Sequence, residues 1–194
     1  MSQHSSLTET EVLFVKDNGR LLKINYESIM NYHGGAMPAG VALAFRLFSG
    51  LTERYQAIFD GIPERDGVYF YTGLGENGQG IIDTAEALYR VRSRRHIGMD
   101  LNACKGKDAP DAPGGGKYYF SGKLGDMSWE AAVRTGIIEE DFFLLSKKMH
   151  MLRDQGKLPM KEEISQLMEA RKRAEQQILK LTPDELFLIT VSAK

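Results

Sequence analysis

The stretch Pro38-Ala39-Gly40-Val41-Ala42-Leu43-Ala44-Phe45-Arg46-Leu47-Phe48-Ser49-Gly50 sets the architecture. Proline suits the first position of a helix, where its fixed φ fits and its missing amide would have had no partner. Residue 38 therefore reads as a helix start and Gly50 as its stop. Between them apolar residues lie nearly all round the helix rather than along one stripe, the pattern of an element buried on every side. Such a helix is the centre of a fold, or of an interface with a second copy of the chain in a homodimer.

Upstream, two apolar-rich runs at residues 12–16 and 21–25 flank Asp17-Asn18-Gly19, which predicts a β-hairpin. Residues 28–31 open a short helix that ends at His33-Gly34-Gly35. Downstream, the β-branched and aromatic run 68–72 predicts a strand. It enters a loop, residues 73–80, with glycine at 73, 75, 78 and 80, followed by a helix over 81–92. Residues 97–103 and 117–121 read as strands, separated by a proline- and glycine-rich loop over 104–116. Residues 129–135 read as a helical turn capped by Ser128. Helices over 139–155 and 160–181 form an antiparallel hairpin, and residues 185–191 are a terminal strand able to return to a sheet. The expectation is an α+β fold: a mixed or antiparallel sheet packed on the central apolar helix, with a C-terminal helical hairpin and a terminal strand. Residues 1–138 form the core domain and 139–194 the hairpin with its strand.

The 194 residues suffice for one domain with a sizeable core, and 42% hydrophobic with 26% charged content excludes wholesale disorder. Twenty-five basic residues balance 26 acidic ones, which argues against a general nucleic-acid binder. A single cysteine, Cys104, excludes an intrachain disulfide framework and a four-cysteine zinc module. No apolar run approaches a membrane span, and residues 1–6 lack the pattern of a secretory signal, so a cytoplasmic globular domain is expected, with no membrane partner.

Four constellations carry possible chemistry. In Tyr32-His33-Gly34-Gly35-Ala36-Met37-Pro38-Ala39-Gly40, glycines allow close backbone approach and the helix start offers free amides to a small anionic ligand; the plainer reading is a tight turn with a hydrogen-bonded histidine. Gly73-x-Gly75-x-x-Gly78 between strand and helix matches a dinucleotide fingerprint, with Asp100 near the position of a ribose-binding acid. This makes a nucleotide-binding enzyme an alternative function, although Glu76 would crowd an anion there. Arg90, Arg92, Arg94 and Arg95, ending at His96, are either an anion-binding group or a basic helix end. Arg171-Lys172-Arg173 reads as a solvated helix face. Cys104 beside Lys105 and Lys107 is the one candidate activated thiol.

Residues 32–46 resemble the signature of the formylmethanofuran dehydrogenase E-like family, whose pattern is His-Gly-His-x-Cys-Pro-Gly followed by an apolar helix. His33, Gly34 and Pro38 match, while Gly35 stands where the second histidine is expected and Met37 where the cysteine is. Further on, Gly80-Ile81-Ile82-Asp83-Thr84-Ala85 resembles the family's Cys-x-x-Asp-Ala helix start, with Gly80 in place of the cysteine. Gly116-Lys117-Tyr118-Tyr119-Phe120 resembles its Gly-Lys-x-x-Phe strand, so the similarity spans about residues 25 to 125. The resemblance implies an α+β core, dimerisation through the apolar helix, and a metal-binding cleft. It also implies an accessory role near one-carbon chemistry, with no ligands here for the redox cofactors themselves. Thioether and glycine do not replace thiolate and imidazole on zinc. A divalent metal is therefore expected to bind weakly or not at all, through His33, Asp83 and Cys104, in a cleft bordered by Gly34, Gly35, Met37, Gly80, Arg94 and His96. A third possibility is a non-catalytic dimeric interaction domain.

Overall fold

The computed structural model describes residues 12–193. Strands β1 (Val12–Asp17) and β2 (Arg20–Asn25) pair antiparallel about Asn18 and Gly19, whose φ values of +51° and +75° are those a tight hairpin turn requires. Helix α1 (Tyr26–His33) starts under an Asn25 side-chain cap and ends at Gly34, left-handed at φ +80°. Then follow α2 (Pro38–Phe59), β3 (Val68–Thr72), α3 (Gln79–Tyr89), β4 (Ile97–Gly98), β5 (Tyr119–Leu124) and β6 (Met127–Val133). The chain closes with α4 (Glu140–Asp154), α5 (Lys161–Lys180), the single turn α6 (Pro183–Leu186) and β7 (Phe187–Ala193).

Five strands form one sheet in the order β4-β3-β5-β6-β7, parallel only between β3 and β4. Helix α2 lies against it as the all-round apolar pattern predicts: Val41, Phe45 and Phe48 are each at most 1% exposed. The Phe48 ring meets Phe70 of β3 at 5.6 Å and Tyr89 of α3 at 5.3 Å, and Phe70 stacks on Trp129 of β6. Full burial of each such side chain is worth about 1.5–3 kcal/mol, so this helix supplies a large share of the folding free energy. Its one basic residue there, Arg46, is buried and donates to the carbonyl of Leu179 at the end of α5, where the helix dipole favours a cation.

Several boundaries differ from expectation. Helix α2 continues past Gly50 to Phe59, because Leu51 and Thr52 remain buried and good helix formers follow. Gly50 instead makes room for Pro183, whose ring a Cβ there would meet at 2.6 Å. Residues 129–135 are not a helical turn: β6 takes in 129–133 in strict alternation, with Met127, Trp129, Ala131 and Val133 buried between more open residues. Helix α3 stops at Tyr89, where Arg90 turns left-handed, and the strand expected over 97–103 shortens to two residues before a 3-10 turn over Leu101–Cys104.

The C-terminal region is part of the same body. Ala174 and Ile178 of α5 and Phe187 of β7 share one buried cluster with Val41 and Phe45. Because α2 is covered by α3, α5 and the sheet of its own chain, residues 41–48 offer no apolar face to a second copy. Among the described residues no helix is long and apolar enough to cross a membrane.

Candidate functional site

His33 and Asp83 do meet. Nδ1 of His33 at the end of α1 lies 2.8 Å from Oδ2 of Asp83 on α3. The other nitrogen, Nε2, accepts the backbone amide of Met37 at 3.0 Å, so Nδ1 carries the proton and donates it to the carboxylate. The ring is 4% exposed and both of its nitrogens are occupied. It ties α1, the start of α2 and α3 together, while Gly34 and Gly35, at φ +80° and +77°, let the chain turn around it.

The third proposed ligand lies elsewhere. Cys104 is 1% exposed in a small cluster with Tyr71 and Tyr119, its thiol against the carbonyls of Leu101 and Gly73. Among the described residues no three His, Cys, Asp or Glu side chains converge. A zinc ion would need the imidazole stripped of its backbone partner and a thiolate brought from another part of the fold, so these residues do not fit that metal. Arg94 also leaves the cleft: it pairs with Asp66 at 2.6 Å and Asp17 at 3.5 Å. Asp17, on β1, also holds Arg65 and Arg90, so this charge group fastens the hairpin to the end of α3. His96 sits at the entry to β4, its backbone bonded to Phe70 and Val91.

The glycine loop has its own explanation. β3, α3 and β4 do form a parallel unit, but β4 is two residues long and β3's other neighbour, β5, is antiparallel. A Cβ at Gly73 would lie 2.6 Å from the carbonyl oxygen of Lys117, and one at Gly75 would lie 2.8 Å from Leu101. The chain between residues 101 and 117 therefore packs closely on Gly73 and Gly75, which is a structural reason for glycine at both. Asp100 caps the 3-10 turn that follows it.

Gly80 belongs to a different surface. A Cβ there would come within 2.8 Å of the Met37 carbonyl oxygen, so glycine lets the first turns of α2 and α3 touch. Met37 and Gly80 border a cavity of about 520 Å³, enclosed by those two turns, the 112–115 loop, α4 and α5. Its walls are mainly apolar: Leu43, Leu74, Ile81, Phe142, Met149 and Ile178 all contribute.

Polar groups are placed sparsely in this lining. Tyr118 and Ser146 are each 7% exposed and stand in its wall. Burial pushes the Tyr118 phenol above its ordinary range, which keeps it a neutral donor. His150, half-buried on α4, has its pKa lowered first by burial and then by the charge of Arg153, with Arg171 adding to this and Asp154 opposing it. Arg153 is held at the rim by Asn77, which also binds the Gly114 carbonyl. Arg171 donates to the Ala36 carbonyl at 3.0 Å, and burial draws its pKa down, yet no carboxylate of the described residues pairs with it.

This set was not among the expected site residues, and Arg171 is not on the solvated face assigned to it. A signal was present. Residues 167, 171, 174 and 178 follow helical spacing, which puts Arg171 on the same stripe as Leu167, Ala174 and Ile178. On α4, residues 142, 146, 149 and 153 repeat the pattern. No family model matches this chain, and no curated protein does.

Proposed function

We propose that this protein is a small-ligand-binding domain of accessory rather than redox type, and that its ligand occupies the cavity between the α2–α3 corner and the α4–α5 pair. The observation that carries this reading is the lining itself: a chiefly apolar space of about 520 Å³ with a few polar side chains, among them Tyr118, Ser146, His150 and Arg171, set in its wall. A concave, mainly apolar space with a few placed polar groups is the usual form of a small-molecule site.

Kinship with the formylmethanofuran dehydrogenase E-like family is part of the proposal. It is supported by the order of the matching segments and by the position of Met37 and Gly80. These residues stand where that family has cysteines, and both border the cavity. On this reading a place used for a metal has become a place for an organic molecule. Cytoplasmic residence belongs to the same proposal, and any homodimer would use a surface other than α2.

The test is a thermal-shift survey of compounds of suitable size, with Ser146→Leu as the blocked variant. Leucine improves helix propensity and fills the cavity from α4, so the variant folds. A ligand at one hundred times its Kd contributes about 2.7 kcal/mol, or roughly 5–10 °C for a chain of this length. Shifts in the natural protein that vanish in Ser146→Leu support the reading. Equal shifts in both proteins overturn it.

A further inference from the structure

We infer that the ligand of this cavity is an amphipathic organic acid, whose apolar body lies against α2, α3 and α5 and whose carboxylate or phosphate monoester is received by Arg171, with Arg153 and His150 beside it. The inference rests on the cavity being a ligand site and names the chemistry that it selects.

Arg171 is the first ground. A guanidinium drawn out of water loses hydration that a carboxylate partner normally replaces, and here the side chain reaches only a backbone carbonyl and the sulfur of Met168. Its charge is left without an anion among the described residues at the wall of the cavity, beside His150 and Arg153; Glu76 is the one acid of the lining, and Asp154 pairs with Arg153 at 3.4 Å. An acid group on the ligand supplies the missing partner, and the planar fork of arginine suits the paired oxygens of carboxylate and phosphate.

Helix geometry is the second ground. The first turns of α2 and α3 both border the cavity, and neither has a side-chain cap. The dipoles of these two helix starts add positive potential to the cavity, although Gly40, Val41, Ile81 and Ile82 already donate their amides within the turns. Tyr118, 7% exposed in the same lining, offers a phenol as a further donor to a ligand.

The volume of about 520 Å³ lies within the range of small-molecule sites and accommodates a fused aromatic or medium-chain acid.

The experiment is calorimetric titration of the full chain with 2-naphthoate, 1-naphthyl phosphate and the neutral 2-naphthylmethanol. The two acids are expected to bind at least tenfold more tightly than the alcohol. In Arg171→Gln their advantage falls by about 10–100-fold, the range of a charge-assisted hydrogen bond, while the alcohol is unchanged. The stronger of the two acids identifies the headgroup. Fluorescence of the single tryptophan, Trp129, buried away from the cavity on β6, reports that the variant is folded. Equal binding of acid and alcohol, or acid binding that survives Arg171→Gln, overturns the inference while leaving the cavity a ligand site. Binding of none of the three in the natural protein overturns both.

Discussion

Nδ1 of His33 and Oδ2 of Asp83 are 2.8 Å apart although 50 residues separate them in sequence. With Nε2 taken by the Met37 amide, the pair is a fastening between three helices. Such a histidine is valued for geometry: it fixes where α2 begins and how α3 lies against it, and those two turns border the cavity.

His33→Ala removes both bonds and leaves a half-buried carboxylate and a backbone amide without their partner. Loss of about 2–4 kcal/mol is expected in urea denaturation, from two hydrogen bonds of which one is to a charged group. Asp83→Asn retains an acceptor oxygen and loses about half as much. One equivalent of zinc leaves the melting temperature of the natural protein unchanged; a rise that His33→Ala abolishes would restore the metal reading.

Gly80 and Gly40 face each other across the α2–α3 crossing, yet they differ in tolerance. A methyl group at Gly80 meets backbone at 2.8 and 2.9 Å, whereas one at Gly40 meets it no closer than 3.4 Å. Gly80→Ala separates the helices and costs about 1–3 kcal/mol net of the propensity gained. Gly40→Ala is near neutral or slightly stabilising. Denaturation midpoints of the two variants measure the contrast, and equal values would show that the crossing is not tight.

Asp17 predicts a pH dependence. Burial alone would raise its pKa, but the hydrogen bond from Arg65 and the charges of Arg90, Arg65 and Arg94 outweigh it and hold the carboxyl below the usual range. The unfolded chain therefore takes up the proton first. The stabilisation is complete above the unfolded value of about 4 and is lost as pH falls through the lower folded value. Asp17→Asn lacks it throughout, so the stability gap between the two proteins closes on acidification from pH 7. A gap of constant size would mean that the ionised carboxylate contributes nothing.

Cys104, 1% exposed, is expected to react with a chromogenic disulfide reagent only as fast as the protein opens. Its rate rises by orders of magnitude in denaturant. Rapid labelling of the folded protein would revive the thiol as a functional group.

Much of the architecture is legible in local patterns. The all-round apolar helix, the Asn18-Gly19 hairpin turn, the paired C-terminal helices and the returning strand each follow from periodicity or from a residue with one favoured backbone conformation. Residues 127–133 show where such patterns compete. Ser128, Glu130, Ala131 and Ala132 favour a helix locally, but the alternation of Met127, Trp129, Ala131 and Val133 wins once β5 and β7 pair on either side.

The site divides differently. Chain order alone supplies the glycines, the histidine and the acid, because each answers to a local need for tight turning or helix starting. Which of them face a common space depends on how α4 and α5 close over the α2–α3 corner, a matter of long-range packing. Arg171 carries the same charge on either face of α5. Only the docking of that helix partly shields the guanidinium from water, leaves it without a carboxylate among the described residues, and sets it in the cavity wall.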